Sequence, residues 1–221
     1  PSSPELPPHA YDQVPYQQSP DFEAAITNLN NPFTTQEFEE ALNTLKDNRA
    51  ADPYGVRTEM IKAAGPLAQQ SILATINALF LSNQYPEAWG ECDFTLLFKK
   101  GDPSLCDNYR AVGISNAIAK LFSTLINTRL SKFALNTKLI PDTQFGFVEG
   151  RRREDAILLL LHDIQKALKR QQTLYVTFID LSKAFDNVPH SLLINKLAHM
   201  GITGNILQAI ENMYLFTTFR L

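Results

Sequence analysis

The sequence predicts an α+β fold, rich in helix with few strands. Three observations carry it. Most apolar residues recur at helical spacing. Only Phe94–Lys100 and Tyr109–Ile114 read as a strand pair, bridged by Gly101-Asp102-Pro103. One further apolar run, Leu174 to Asp180, reads as a single strand between helices. The order helices, two strands, helices, one strand, helices gives that class.

The elements follow in order. Residues 1–32 hold seven of the 13 prolines and read as an extended linker, with a short helix allowed at Phe22–Leu29. Thr34-Thr35-Gln36-Glu37 is a capping box, and Phe33 and Phe38 stand where a hydrophobic staple places its apolar pair. Phe38, Leu42 and Leu45 then follow at helical spacing. After the loop Arg49–Gly55, a short helix runs to Gly65, read as a C′ glycine. Pro66 suits the first turn of the next helix, whose inner face is Ile72, Leu73, Ile76, Leu79 and Phe80. Beyond the strand pair, Ile118, Leu121, Phe122, Leu125 and Phe133 line one side of a helix, and Asp142–Gly150 is a loop. Glu154 to Arg170 is a helix with Ala156, Ile157, Leu160, Leu161, Ile164 and Leu168 inward. Two more helices cover Ser191–His199 and Gly204–Tyr214. Trp89 and the phenylalanines read as core.

Composition narrows the function classes. Hydrophobic residues are 44% and charged residues 19%, enough for a buried core in 221 residues. Two cysteines, Cys92 and Cys106, make neither a disulfide scaffold nor a four-ligand zinc site. His9, His162, His190 and His199 have no metal-ligand spacing with them. No apolar run reaches the ~18 residues of a membrane helix, and no secretory leader is visible. An intracellular, reduced, soluble protein is expected. The net charge of −3 conceals an asymmetry. Residues 1–48 carry eight acidic groups against Lys46 alone, while residues 49–221 are mildly basic, with a cluster at Arg151–Arg153. A phosphate-bearing partner is allowed.

Three stretches offer chemistry. The strand ending in Asp180 would deliver a carboxylate to a sheet edge, where hard divalent cations are presented to phosphates. The alternative is that Asp180 caps the following turn; Asp186 reads as a turn or salt-bridge residue with Lys183. Lys99, Lys100 and Arg110 on the two-strand element would reach a triphosphate; otherwise they decorate a solvated turn. Gln144 to Arg153 combines glycines with arginines and fits nucleic-acid contact, though three arginines at a helix start oppose its dipole. No phosphate-loop or dinucleotide glycine pattern is present.

In this order and spacing the stretches resemble the reverse transcriptase of non-LTR (LINE-like) retrotransposons over residues 33–221. The quoted matches are Arg49-Ala-Ala-Asp-Pro-Tyr-Gly55, Lys99-Lys-Gly-Asp102 with Asn108-Tyr-Arg-Ala-Val-Gly-Ile-Ser115, Gln144-Phe-Gly-Phe-Val-Glu-Gly-Arg151, and Asp180 followed by Phe185 and Asp186. The resemblance implies a right-hand polymerase fold, with residues 33–172 as fingers and 173–221 as partial palm. It implies Asp180 as first catalytic carboxylate, holding Mg²⁺ with the Leu181 carbonyl in two-metal nucleotidyl transfer. Phe185 would reject the ribonucleotide 2′-hydroxyl, and Arg110 and Lys99 would neutralise the incoming triphosphate. Gln144, Gly146 and Arg151 would lie by the template. Partners would be an RNA template, a DNA primer and deoxynucleoside triphosphates, without a membrane, in nucleus or cytoplasm.

Three motifs depart from the family pattern. The Gly-Pro-Asp-Gly loop reads Asp52-Pro-Tyr-Gly55, the motif proline is Ala111, and a template-side arginine is Val148. The family's Gln-Gly loop and Asp-Asp hairpin are not among the 221 residues. A polymerase fragment inactive alone is therefore expected. The rival is a non-catalytic nucleic-acid-binding or protein-interaction remnant of a retroelement. A third reading, an unrelated metal enzyme using Asp180, lacks a second carboxylate motif.

Overall fold

The computed structural model describes residues 20–181, 183–185 and 187–220. The described residues divide into two compact units, one of residues 20–130 together with 190–220, the other of residues within 131–189.

The larger unit begins with α1, Pro20–Leu29, which buries Phe22 and Leu29. Helix α2 is Thr35–Thr44. Its capping box forms: the Thr34 hydroxyl accepts from the Glu37 amide at 3.2 Å, and the Glu37 carboxylate accepts from the Thr34 amide at 2.8 Å. The staple residues Phe33 and Phe38 are both buried. Helix α3, Thr58–Ala63, precedes α4, Pro66–Leu81, with Pro66 at its first turn. Gly65 follows the C-cap Ala64 of α3 and so stands at C′, as expected, but its φ of −63° and ψ of 161° are extended rather than left-handed, and it also serves as the N-cap of α4. A proline at 66 disfavours the helical region for the residue before it, and this constraint prevails.

Helix α4 turns Leu73, Ile76 and Phe80 inward, as the spacing requires. Asn77 clamps it to the start of α2, accepting from the Phe33 amide at 2.6 Å and donating to the Phe33 carbonyl at 2.9 Å. The short helix α5, Glu87–Gly90, leads into β1, Glu91–Phe98. Strand β2, Tyr109–Ser115, pairs antiparallel with β1, with Leu97 opposite Arg110 and Thr95 opposite Val112. Helix α6, Ala117–Asn136, follows. Its first part packs Leu121, Phe122, Leu125 and Ile126 into the core. Phe122 lies edge-on to Phe33 at 6.3 Å and 5.5 Å from Trp89. Phe33 and Phe122 are core, as expected, and Trp89 is half-buried, but Phe98, Phe147, Phe178, Phe185 and Phe216 are exposed, against the expectation that the phenylalanines are core. After the second unit come α8, His190–His199, and α9, Asn205–Leu215. The short strand β3, Thr218–Arg220, lies parallel to β1, giving the order β2-β1-β3.

Arg129 of α6 is the electrostatic centre of this unit. Its guanidinium pairs with Glu37 at 2.7 Å and donates to the carbonyls of Leu29, Asn31 and Pro32. It also sits 4.2 Å over the Phe33 ring. One side chain thereby joins α6 to the α1–α2 connection. Burial by itself raises the pKa of Glu37, but Arg129 and the Thr34 amide outweigh it and hold the carboxyl below its ordinary value of 4.5. A depressed folded pKa gives stability that is complete above the unfolded value and disappears as pH falls through the folded one. Melting followed by circular dichroism should show that loss beginning below pH 4.5. Glu37→Gln should flatten part of the acid limb; an unchanged limb would contradict this assignment.

The second unit contains the end of α6, the 137–152 loop and α7, Arg153–Lys169. Two expectations fail here. No α7 residue is buried, and Ile157, Leu161 and Leu168 of the expected inner face are exposed. Residues 172–181 form no strand, and Tyr175, Phe178 and Ile179 are each more than 80% exposed. The physical reason is the same for both. A single strand needs a ladder partner to gain over solvent, and among the described residues the sheet ends at β2 and β3. Among the described residues of this unit there is no sheet for the apolar stripe of α7 to cover.

Candidate nucleic-acid interface

Strand alternation places Thr95, Leu97 and the following Lys99 on one face of the hairpin, with Arg110, Val112 and Ile114 beside them on β2. The ladder extends past β1, since the Lys99 amide donates to the Asn108 carbonyl at 2.8 Å. The turn is braced locally. Asp102 accepts from the Ser104 amide and hydroxyl, and the Asn108 side chain donates to the Asp102 carbonyl. The two cations expected to meet a triphosphate therefore project from the same side of a stiff element.

That side faces a cavity of about 470 Å³. Its walls are Thr95, Leu97, Val112 and Ile114 of the hairpin, the 49–58 loop, and the start of α6. Burial distinguishes rim from floor. Arg49 and Lys120 are exposed, whereas Asp52, Thr58 and Ala117 are buried. Asp52 holds the floor together. One carboxylate oxygen accepts from the Tyr54 and Val56 amides at 2.9 and 2.8 Å; the other accepts from the Ala117 amide at 3.0 Å. The last contact joins the loop to the α6 N-terminus, where an anion is favoured, and Asn116 caps the same helix through the Ile118 and Ala119 amides. Sequence reading gave Asp52 no role. The Asp-Pro-x-Gly pattern signals such an Asx turn, with Gly55 at φ +79° closing it. The bond to residue 117 has no local signal.

The remaining predicted residues lie in the second unit. Gln144, Gly146 and Arg151 share one loop, in which the Gln144 side-chain amide donates to the Gly146 carbonyl at 3.0 Å. Arg151 is used internally: it donates to the Pro141 and Gln144 carbonyls and pairs with Asp142 at 3.0 Å. Arg152 and Arg153 are the outward cations, with side chains 78% and 90% exposed. Their opposition to the α7 dipole is relieved by Glu154 and Asp155 in the first turn, which pair with Arg153 and Arg152 respectively.

Phe185 is exposed and packs edge-on against Phe147 at 5.9 Å. Asp180 and Leu181 are exposed in the segment that forms no strand, so the structure does not deliver this carboxylate on a sheet edge. Among the described residues no three His, Cys, Asp or Glu side chains converge on a common point. Asp186 lies outside the described residues. The described residues thus do not fit a resident Mg²⁺ by themselves, since a hard cation of this kind takes several oxygen ligands.

The family profile for reverse transcriptase (RNA-dependent DNA polymerase) matches residues 98–220, more than half of the chain. The chain belongs to the reverse transcriptase family. Its similarity to non-LTR retrotransposon sequences, read above from the motifs, holds as well. It is 27% identical over 75% of its length to the probable RNA-directed DNA polymerase from transposon BS of Drosophila melanogaster. It is 23% identical over 83% of its length to the RNA-directed DNA polymerase from mobile element jockey of Drosophila funebris. It is 31% identical over 55% to the retrovirus-related Pol polyprotein from type-1 retrotransposable element R2 of Popillia japonica. The chain spans 18%, 20% and 17% of those three relatives. No described helix is long and apolar enough to cross a membrane.

Proposed function

We propose that residues 33–172 are the fingers and 173–221 the first part of the palm of an RNA-directed DNA polymerase from a non-LTR retrotransposon, acting in nucleus or cytoplasm. The observation that carries this reading is the shared face of Lys99 and Arg110 on a braced hairpin, above a cavity rimmed by Arg49 and Lys120. Four cations about one concavity suit a polyanion. In this reading Arg110 forks onto the phosphates of a deoxynucleoside triphosphate and Lys99 adds a point charge. Phe185 screens the sugar. The Gln144–Arg151 loop lies along the RNA template, with Arg151 shaping the loop and Arg152 and Arg153 as its outward cations. Asp180 and the Leu181 carbonyl are one arm of a Mg²⁺ site whose other arms the described residues do not supply.

Two measurements test this. The 221 residues alone, given Mg²⁺, deoxynucleotides and a primed RNA, should incorporate nothing; incorporation abolished by Asp180→Ala would overturn the expectation. They should bind single-stranded RNA weakly and with strong salt dependence. Changing both Lys99 and Arg110 to Ala should lower the salt slope by about 2 units. A slope unaffected by that double change would remove the hairpin from the phosphate path. The exposed position of Asp180 favours a second reading, a non-catalytic retroelement remnant. RNA binding by the hairpin together with no triphosphate binding would favour that one.

A further inference from the structure

We infer that two copies of this chain pair through the segment Leu174–Leu181, which forms an antiparallel ladder with its counterpart across a two-fold axis at Thr177 and lays its uncharged face on the two α7 stripes. The inference stands apart from the nucleic-acid reading and holds whether or not the hairpin binds RNA.

The segment has no ladder partner within its own unit. The described strands lie at 91–98, 109–115 and 218–220, all outside 131–189. Its composition is that of a strand covered on both faces, yet Tyr175, Phe178 and Ile179 are almost fully exposed. An uncharged run such as 174–179, rich in aromatic and β-branched residues, is a template for a second identical strand. The surface it would cover is close in the chain. Gln171, at φ +54°, ends α7, and the Gln172 amide donates back to the Ala167 carbonyl at 2.9 Å. The chain therefore reverses just before Leu174, at the end of the helix that exposes Ile157, Leu161 and Leu168.

Alternation selects the face and the register. One set is Tyr175, Thr177, Ile179 and Leu181; the other, Leu174, Val176 and Phe178, ends in Asp180. Only the first set covers an apolar stripe without burying a charge. A two-fold axis at Thr177 keeps the first set of both copies on one face. It places Tyr175 opposite the partner's Ile179 and the two Thr177 side chains opposite each other, pairs that stabilise a ladder. Asp180 then stands on the other face, opposite the partner's Leu174 rather than its own counterpart, so like charges do not meet.

The area suffices. Tyr175 at roughly 200 Å² and the exposed aliphatics Ile179, Leu181, Ile157, Leu161 and Leu168 at roughly 100 Å² each bring the patch to about 700 Å² per copy. A stable complex takes about 800 Å² per partner, and the ladder itself adds backbone to the patch.

Sedimentation velocity of the intact 221-residue chain tests this. The chain should run as a dimer at about 100 µM and as a monomer at about 1 µM, since ordering the segment offsets part of the gain from burial. Ile179→Glu, at a position exposed in the single copy, should raise the dissociation constant at least about tenfold by burying an unpaired carboxylate. Register is read with single cysteines in a chain carrying Cys92→Ala and Cys106→Ser, under oxidised glutathione. Thr177→Cys should crosslink to its own copy, because opposed Cα atoms about 4.5–5.5 Å apart lie in disulfide range. Tyr175→Cys and Ile179→Cys should crosslink poorly alone and efficiently when mixed. A monomer at every concentration would overturn the pairing, as would open-ended oligomers or a dimer indifferent to Ile179→Glu. Crosslinking of Val176→Cys equal to that of Thr177→Cys would overturn the ladder.

Discussion

Arg129→Ala should produce a large loss of stability where α6 meets the α1–α2 connection. The change leaves the Glu37 carboxylate with Thr34 alone, stripped of its cationic partner, and removes a donor from three backbone carbonyls. It also removes a cation from the Phe33 ring. The Arg129 side chain is only 10% exposed, so water replaces these bonds incompletely. Breaking a pair of this kind from one side costs about 3–5 kcal/mol, a large part of a typical stability of about 5–15 kcal/mol. The melting temperature should fall by roughly 6–20 °C. Arg129→Lys should recover only part of this, because an ammonium cannot fork onto the carboxylate while reaching the carbonyls. Equal stability of the Lys variant and the parent would show that the fork geometry is unimportant.

Gly90→Ala should have an effect of comparable size for a steric reason. A Cβ at this buried position would stand 1.8 Å from the Phe216 carbonyl oxygen and 2.5 Å from its carbon. Those atoms are backbone, so no side-chain rotation relieves the overlap. The end of α9 must move away, and with it the stacking of Phe216 on Tyr85 at 6.1 Å and the pairing of Glu91 with Thr218. Overpacking of this severity costs about 3 kcal/mol. Burial, with a smaller contribution from Cys92, raises the Tyr85 pKa to about 12. Displacing Phe216 should expose that ring and bring its titration back toward the ordinary 10. A Gly90→Ala protein with the parent melting temperature and Tyr85 titration would contradict the packing described.

What was legible in the sequence was local. The capping box at Thr34, Pro66 at the start of α4, the hairpin and the inner faces of α4 and α6 all follow from neighbours within a turn or a strand pair. What was not legible depends on distant partners. Arg129 meets Glu37 across 92 residues. Asn30 caps α9 by accepting from the Ile206 amide across 176 residues. Strand β3 has too few residues to show a pattern and exists by pairing with β1. The segment 174–180 illustrates the converse, since its composition suits a strand but the described residues offer it no ladder. In the candidate site, the motifs identified Lys99 and Arg110. The cavity they face came only with the fold, because Asp52, Val112 and Lys120 converge there from separate elements.

The central claim is that nucleic acid meets this chain on the cavity face of the β1–β2 hairpin. Its most direct test is photocrosslinking of a single-stranded RNA carrying 4-thiouridine, followed by mapping of the modified peptides. Crosslinks should concentrate in residues 49–58 and 95–120, and should decline when Lys99 and Arg110 are both changed to Ala. Crosslinks confined to residues 190–220, unchanged by those substitutions, would contradict the account.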